Sequence, residues 1–146
     1  MDTLLNNSAF CIAFTAAGIF FMAGLLTGLW KYLCMRRHPQ AEAPHYVNVA
    51  HRAALMYAFS AQLLAMFGAA SAFPVWLNIT AIIPPLLFFA IAIVHYIQLG
   101  INTNSNNSLR DSDDKAKDYR ILNTLAVAEI GGFSILFVGF LVRLWT

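Results

Sequence analysis

His51, Arg52, Tyr57, His95, Tyr96 and Glu129 are the side chains whose types and spacing could do chemistry, and each falls within a long apolar stretch. Polar groups in such surroundings are costly to keep, so they point to pairing, hydration or use. Three kinds of site are open to them. One is a haem with His51 or His95, or both, as axial ligands. Another is a substrate pocket in which Glu129 or a histidine acts as acid and base, with Arg52, Tyr57 and Tyr96 to position or protonate the substrate. The third is a proton or ion path through Glu129. A purely structural alternative stands beside them: His51 and His95 bonded to loop carbonyls, and Glu129 paired with Arg52.

Helical spacing groups these residues further. At 100° per residue, Asn48, His51, Ala58, Gln62, Ala65 and Ala69 fall within about 60° of His51, which makes one polar, narrow face. Arg52 and Tyr57 lie on other faces but are long enough to turn towards a neighbour. His95, Tyr96 and Gln98 cluster at one end of their own apolar stretch. In antiparallel helices His51 and His95 each lie about one turn from the same end, so the imidazoles share a depth. Glu129 lies about 13 Å inward from Arg120 by helical rise. A carboxylate there must be protonated, paired or hydrated.

Other motifs add little. His38 and His45 flank Pro39 and Pro44, a setting that suits a solvated turn. There is no HExxH, CxxC or Gly-x-Ser-x-Gly, so zinc hydrolase and serine hydrolase readings have no motif behind them. Asn6, Asn78 and Asn106 begin glycosylation patterns, two at membrane boundaries and the third in an expected cytoplasmic loop.

The elements that must hold these residues follow from composition. The chain is 60% hydrophobic and 11% charged, against roughly 25% charged in a soluble domain. Four apolar stretches, at about 8–33, 47–73, 76–99 and 121–144, carry the excess. Each exceeds the roughly 20 residues that take an α-helix through hydrocarbon. The runs are continuous rather than alternating, which excludes a transmembrane barrel. The fold expected is all-α, a single integral membrane bundle of four transmembrane helices over residues 1–146. The first stretch is too long, and has too little charge before it, for a cleavable signal. Cys11 and Cys34, about 34 Å apart on one straight helix, cannot pair with each other.

Charge sets the expected direction. Lys31, Arg36, Arg37 and Arg52 lie in or near the first joint, and Arg110, Lys115, Lys117 and Arg120 in the third, whereas residues 72–75 carry no charge. Basic joints stay cytoplasmic, so both termini are expected outside the cytoplasm, with Arg143 snorkelling to an interface. The polar loop 102–119 mixes both signs, which suits a solvated loop. The net charge of +2 needs no nucleic-acid partner. Gly24 and Gly28, Ala128 and Gly132, and the Ala54, Ala58, Ala61, Ala65, Ala69 series mark close helix contacts. Pro84 and Pro85 fall mid-span, and the carbonyls they free must face protein, a polar cavity or a donor.

Gly28-Leu29-Trp30 near the end of the first span and Ala50-His51 in the second resemble the styrene oxide isomerase family of small four-helix membrane proteins. The resemblance implies His51 as axial ligand of a haem b bound between subunits of a trimer. In that family ferric iron acts as a Lewis acid that opens an epoxide and directs its rearrangement to an aldehyde. Six residues after the histidine the family has an asparagine, where this chain has Tyr57, and its first loop is longer and less basic. Kinship of fold and cofactor, rather than identity of reaction, is what the resemblance implies. The glutathione-dependent membrane enzymes of eicosanoid metabolism offer another four-helix trimer, whose second helix reads Arg-Ala-x-x-Asn-x-x-Glu. Here Arg52-Ala53 is followed by Met56 and Phe59 in those places.

The expectation is therefore a membrane haem b enzyme acting on a small lipophilic substrate that enters from the bilayer, assembled as a homo-oligomer because its small-residue faces exceed what one bundle need bury. The competing class is a non-enzymatic accessory subunit or small transporter.

Overall fold

The computed structural model describes residues 2–102 and 106–145. A short helix α1 (Asp2–Leu5) precedes four long ones: α2 (Ser8–Arg37), α3 (His45–Ala70), α4 (Val75–Asn102) and α5 (Lys115–Trp145). All four long helices are long and apolar enough to cross a membrane. Residues 103–105 of the expected polar loop lie outside the described residues.

Local chemistry sets the helix ends. Asn7 caps α2, its Oδ1 accepting from the Phe10 amide at 3.1 Å. Arg36 and Arg37 occupy the last turn, where cations complement the exposed carbonyls. Pro44 stands just before α3 and Asp114 just before α5, where the Asp114 carboxylate accepts from the Lys117 amide at 2.9 Å. That cap starts α5 at Lys115, six residues ahead of the apolar stretch, and so shortens the loop expected at 102–119.

Between α2 and α3, Ala41 adopts a left-handed backbone with φ of 53°. A side chain there costs roughly 1–2 kcal/mol, which glycine avoids at an entropic cost of about 0.5–1 kcal/mol. Ala41→Gly is expected to raise stability slightly, by up to about 1 kcal/mol, and Ala41→Val to lower it. Thermal unfolding in detergent measures both; a loss with glycine would show that the turn is not strained.

Cross-helix contacts give the arrangement. Gly68 packs on Ile82, Tyr57 stacks on Phe89 and Tyr46 on Tyr96, so α3 and α4 run antiparallel. Gly24 meets Leu55, and Gly68 lies near Ala9, so α2 is antiparallel to α3 as well. Phe67 of α3 touches Phe133, Phe137 and Phe140 of α5, and the Ala72 amide donates to the Gly139 carbonyl at 2.9 Å. Helices α3 and α5 are therefore parallel. The loops at 38–44 and 106–114 share one end of the bundle, called the loop side below.

The core is made of small side chains: Ala9, Ala13 and Ala17 on α2 against Ala54, Ala58, Ala61 and Ala65 on α3. Alanine lets the backbones close up, where packing rather than water exclusion associates membrane helices. The outward faces carry large apolar residues such as Phe59, Met66, Leu87 and Ile130, as a lipid-facing surface requires.

Two polar features stand in the interior, and one atom of them, Asn78 Oδ1, is buried with no hydrogen-bond partner among the described residues. Pro85 supplies no amide to the Ala81 carbonyl, four residues earlier, and that oxygen lies against Gly132 of α5. Asn78 is buried, and its Nδ2 donates to the carbonyls of Phe73 at 3.1 Å and Gly68 at 3.3 Å. It pins the α3–α4 joint from inside, so its glycosylation pattern is not offered to the surface.

Candidate functional site

His51 sits in the α2–α3 seam, on the strip of α2 that carries Gly24 and Gly28. Its Nδ1 lies 2.9 Å from the Gly24 carbonyl oxygen. A carbonyl has no proton to give, so Nδ1 bears the hydrogen and donates it. Nε2 is then the nitrogen with the free lone pair in the neutral ring. The seat is specific to glycine: a Cβ on Gly28 would come within 2.9 Å of the imidazole Cε1. Thr27 completes the strip, its hydroxyl donating to the Ala23 carbonyl at 2.7 Å with the Gly24 oxygen at 3.1 Å. The Gly-x-x-x-Gly pair thus seats an imidazole as well as bringing two helices together.

The other residues singled out lie elsewhere. Tyr57 turns towards α4 and stacks on Phe89, with ring centroids 4.4 Å apart. It lies within electrostatic reach of Tyr96 and Glu129. Tyr96 in turn stacks on Tyr46 at 6.3 Å, nearly parallel, and the Tyr46 hydroxyl accepts from the Ser108 amide. Tyr46, Tyr96, Tyr57 and Glu129 form a file through the α3–α4–α5 side of the bundle, separated from His51 by the body of α3.

Arg52 and His95 are exposed on the outer surface, with His95 tilted against Tyr96 at 6.0 Å. The two histidines share a depth but do not converge within one chain. Arg52 does not reach Glu129 either. The Phe67 contacts put Glu129 about level with Phe59, so Arg52 lies about 10 Å nearer the loop side. The ion pair found among the described residues is Arg110–Asp111, in the loop.

Gln62 also departs from the expected polar face. The buried stripe of α3 runs through Ala50, Ala54, Ala58, Ala61 and Ala65, which leaves Gln62 outside and His51 at the stripe's edge. His45 lines a shallow cavity of about 520 Å³ on the loop side, with Lys31, Glu42, Asn48 and Asn106. Sequence reasoning passed over Tyr46, whose position at the very start of α3 hid its burial. The cysteines are free, as their spacing required. Among the described residues no three His, Cys, Asp or Glu side chains are grouped to hold a metal ion, so a metal reading rests on His51 alone.

These features define a four-helix protein with membrane-spanning potential and two separate polar loci, one imidazole seat and one tyrosine–glutamate file. No family model, curated protein or solved structure matches this chain.

Proposed function

We propose that this chain is a haem b membrane protein with His51 as axial ligand, acting as an isomerase on a small lipophilic substrate such as an epoxide. The observation that carries the reading is the bond from Nδ1 to the Gly24 carbonyl. Metal-ligating histidines almost always donate their other ring N–H in this way, which fixes the tautomer and raises the basicity of the ligating nitrogen. The glycine strip fits as well, because it holds the ring in one orientation through contacts that a side chain would remove.

When bound, ferric haem b supplies a Lewis acid for an epoxide oxygen. The chain's own residues do the rest. His51 anchors; the apolar faces of α2 and α3 admit a neutral substrate from the bilayer and keep bulk water away. Glu129, Tyr57 and Tyr96 hold protons that a substrate oxygen would take up, and Arg52 offers a cation near the membrane boundary. Because α3 separates His51 from Glu129, this division of labour calls for a homo-oligomer in which one copy's seat meets the next copy's file. The basic joints put both termini outside the cytoplasm.

The test is the absorbance spectrum of detergent-purified protein expressed with haem supply, followed by product analysis on adding an epoxide. A Soret band and an aldehyde product are expected. Protein that folds without haem under that supply would sink the proposal.

A specific observation favours a second reading, that of an accessory subunit or small transporter. Glu129 lies deep in its span without an ion-pair partner among the described residues and apart from His51. Co-purification with a larger complex, no cofactor and no response to epoxides would favour it.

A further inference from the structure

We propose that Glu129 is a proton-binding site reached from the loop side of the bundle and closed to the opposite side, with Tyr46, Tyr96 and Tyr57 marking the way in. The inference rests on the helices spanning a membrane and is independent of haem.

Depth comes first. Tyr57 and Phe89 stack at the middle of α3 and α4. Glu129 lies within about one turn of that level by the contacts of Phe67 and Gly132. A carboxyl in mid-hydrocarbon is far cheaper as the neutral acid than as a bare anion, so it exchanges protons only where water or hydroxyls reach it.

The loop-side half offers hydroxyls. The Tyr46 hydroxyl meets the Ser108 amide at the loop, Tyr96 stacks on Tyr46, and Tyr57, deeper on α3, is within electrostatic reach of both Tyr96 and Glu129. Each phenol both donates and accepts, as a proton relay requires. Among the described residues no hydrogen bond occupies the Tyr57 or Tyr96 hydroxyl or the Glu129 carboxyl, and none of these atoms is sealed from a water-sized probe.

In the opposite half the contact between α3 and α5 is aromatic. There Phe67 packs edge-on against Phe133, Phe137 and Phe140, with centroids 5.2, 5.9 and 5.3 Å away. This layer lies between Glu129 and the α3–α4 joint at 71–74, and its own side chains offer a water no donor or acceptor. Tyr57 is the titratable group of α3 within electrostatic reach of Glu129, and Tyr96 of α4 is within reach of Tyr57. The nearest cation on α3, Arg52, is displaced towards the loop.

The experiment uses the full chain in lipid vesicles with dicyclohexylcarbodiimide, to which a protonated carboxylic acid adds across one N=C bond with no leaving group. The adduct at Glu129 is measured by mass spectrometry, scored separately for chains whose 106–114 loop is cut by external protease. Labelling is expected to fall about tenfold per unit of loop-side pH once the carboxyl ionises, and to ignore pH on the other side. Tyr57→Phe and Tyr96→Phe, which keep the rings, are expected to slow the response to a loop-side pH jump several-fold, and Glu129→Gln to abolish the adduct. Labelling that follows the opposite side, no adduct at any pH, or an unchanged response in both phenylalanine variants would overturn the proposal.

Discussion

His51→Ala is expected to leave protein without a Soret band, and His51→Gln to do the same while keeping the fold. The pair separates two roles of one imidazole. The ring fills a groove over Gly28 and bonds to the Gly24 carbonyl, so alanine removes packing and a hydrogen bond together. Glutamine can still donate an amide hydrogen to Gly24 from that position, but its amide nitrogen has no basic lone pair for iron. If His51 is only a helix fastener, alanine lowers stability by about 1–3 kcal/mol and glutamine restores much of it, with no cofactor in either. If His51 is a ligand, both variants lose haem and epoxide turnover, whatever their stability.

Gly28→Val refines the same prediction. Its Cβ would enter the space of Cε1 at 2.9 Å, displacing the ring without removing it. Supporting contacts of metal-bound histidines are worth roughly ten- to a hundredfold in affinity. Haem retention on dilution should fall within that range. Full retention would mean that the glycine seat does not orient a ligand.

The long-range features of this chain were legible because they depend on bulk composition. Four runs of apolar residues exceed the length of a span, and the helices that form cover them with ends displaced by a few residues. The largest displacement has a local cause, Asp114 capping α5 ahead of its apolar run, whereas Asn7 caps α2 where the first run begins. Of the small-residue series on α3, Ala54, Ala58, Ala61 and Ala65 are buried and Ala69 is partly so.

The partition of the polar residues was not legible. Helical phase assigns residues to faces of one helix, but it does not say which neighbour each face meets. Gln62 shares His51's face within about 60° and is nevertheless exposed, because the buried stripe of α3 is centred on alanines to one side. Likewise, the structural alternative pairs Glu129 with Arg52. The Phe67 contacts shift α5 along α3, so the two residues stand about 10 Å apart in depth. Relative sliding of helices is set by interdigitated side chains, and one sequence carries no record of it. What the two loci have in common is dependence on close approach: glycines on α2 bring the Gly24 carbonyl to His51, and Gly132 draws α5 in so that Glu129 comes within electrostatic reach of Tyr57.

Gly132→Leu is accordingly expected to detach α5 from the bundle. A Cβ at this position would run into the Ala81 carbonyl oxygen and come within 2.9 Å of Pro85 Cγ. Neither obstacle yields easily, since one is backbone and the other a closed ring on it. Overpacking a tight contact costs about 1–3 kcal/mol, and leucine adds further bulk. Gly131 supplies the control, for nothing lies within 4 Å of a Cβ placed there. Thermal unfolding and elution profile in detergent should show Gly132→Ala weakened, Gly132→Leu failing to hold a folded protomer, and Gly131→Leu close to the parent. Equal losses at both glycines would mean that helix propensity or membrane insertion, rather than the Ala81–Pro85 contact, sets the effect. Pro85→Ala should soften Gly132→Ala, because an amide at residue 85 draws the Ala81 carbonyl back into the helix ladder and removes the ring. A coupling of about 0.5–3 kcal/mol between the two sites is the signature of direct contact, whereas simple additivity would show that α5 is held to the bundle elsewhere.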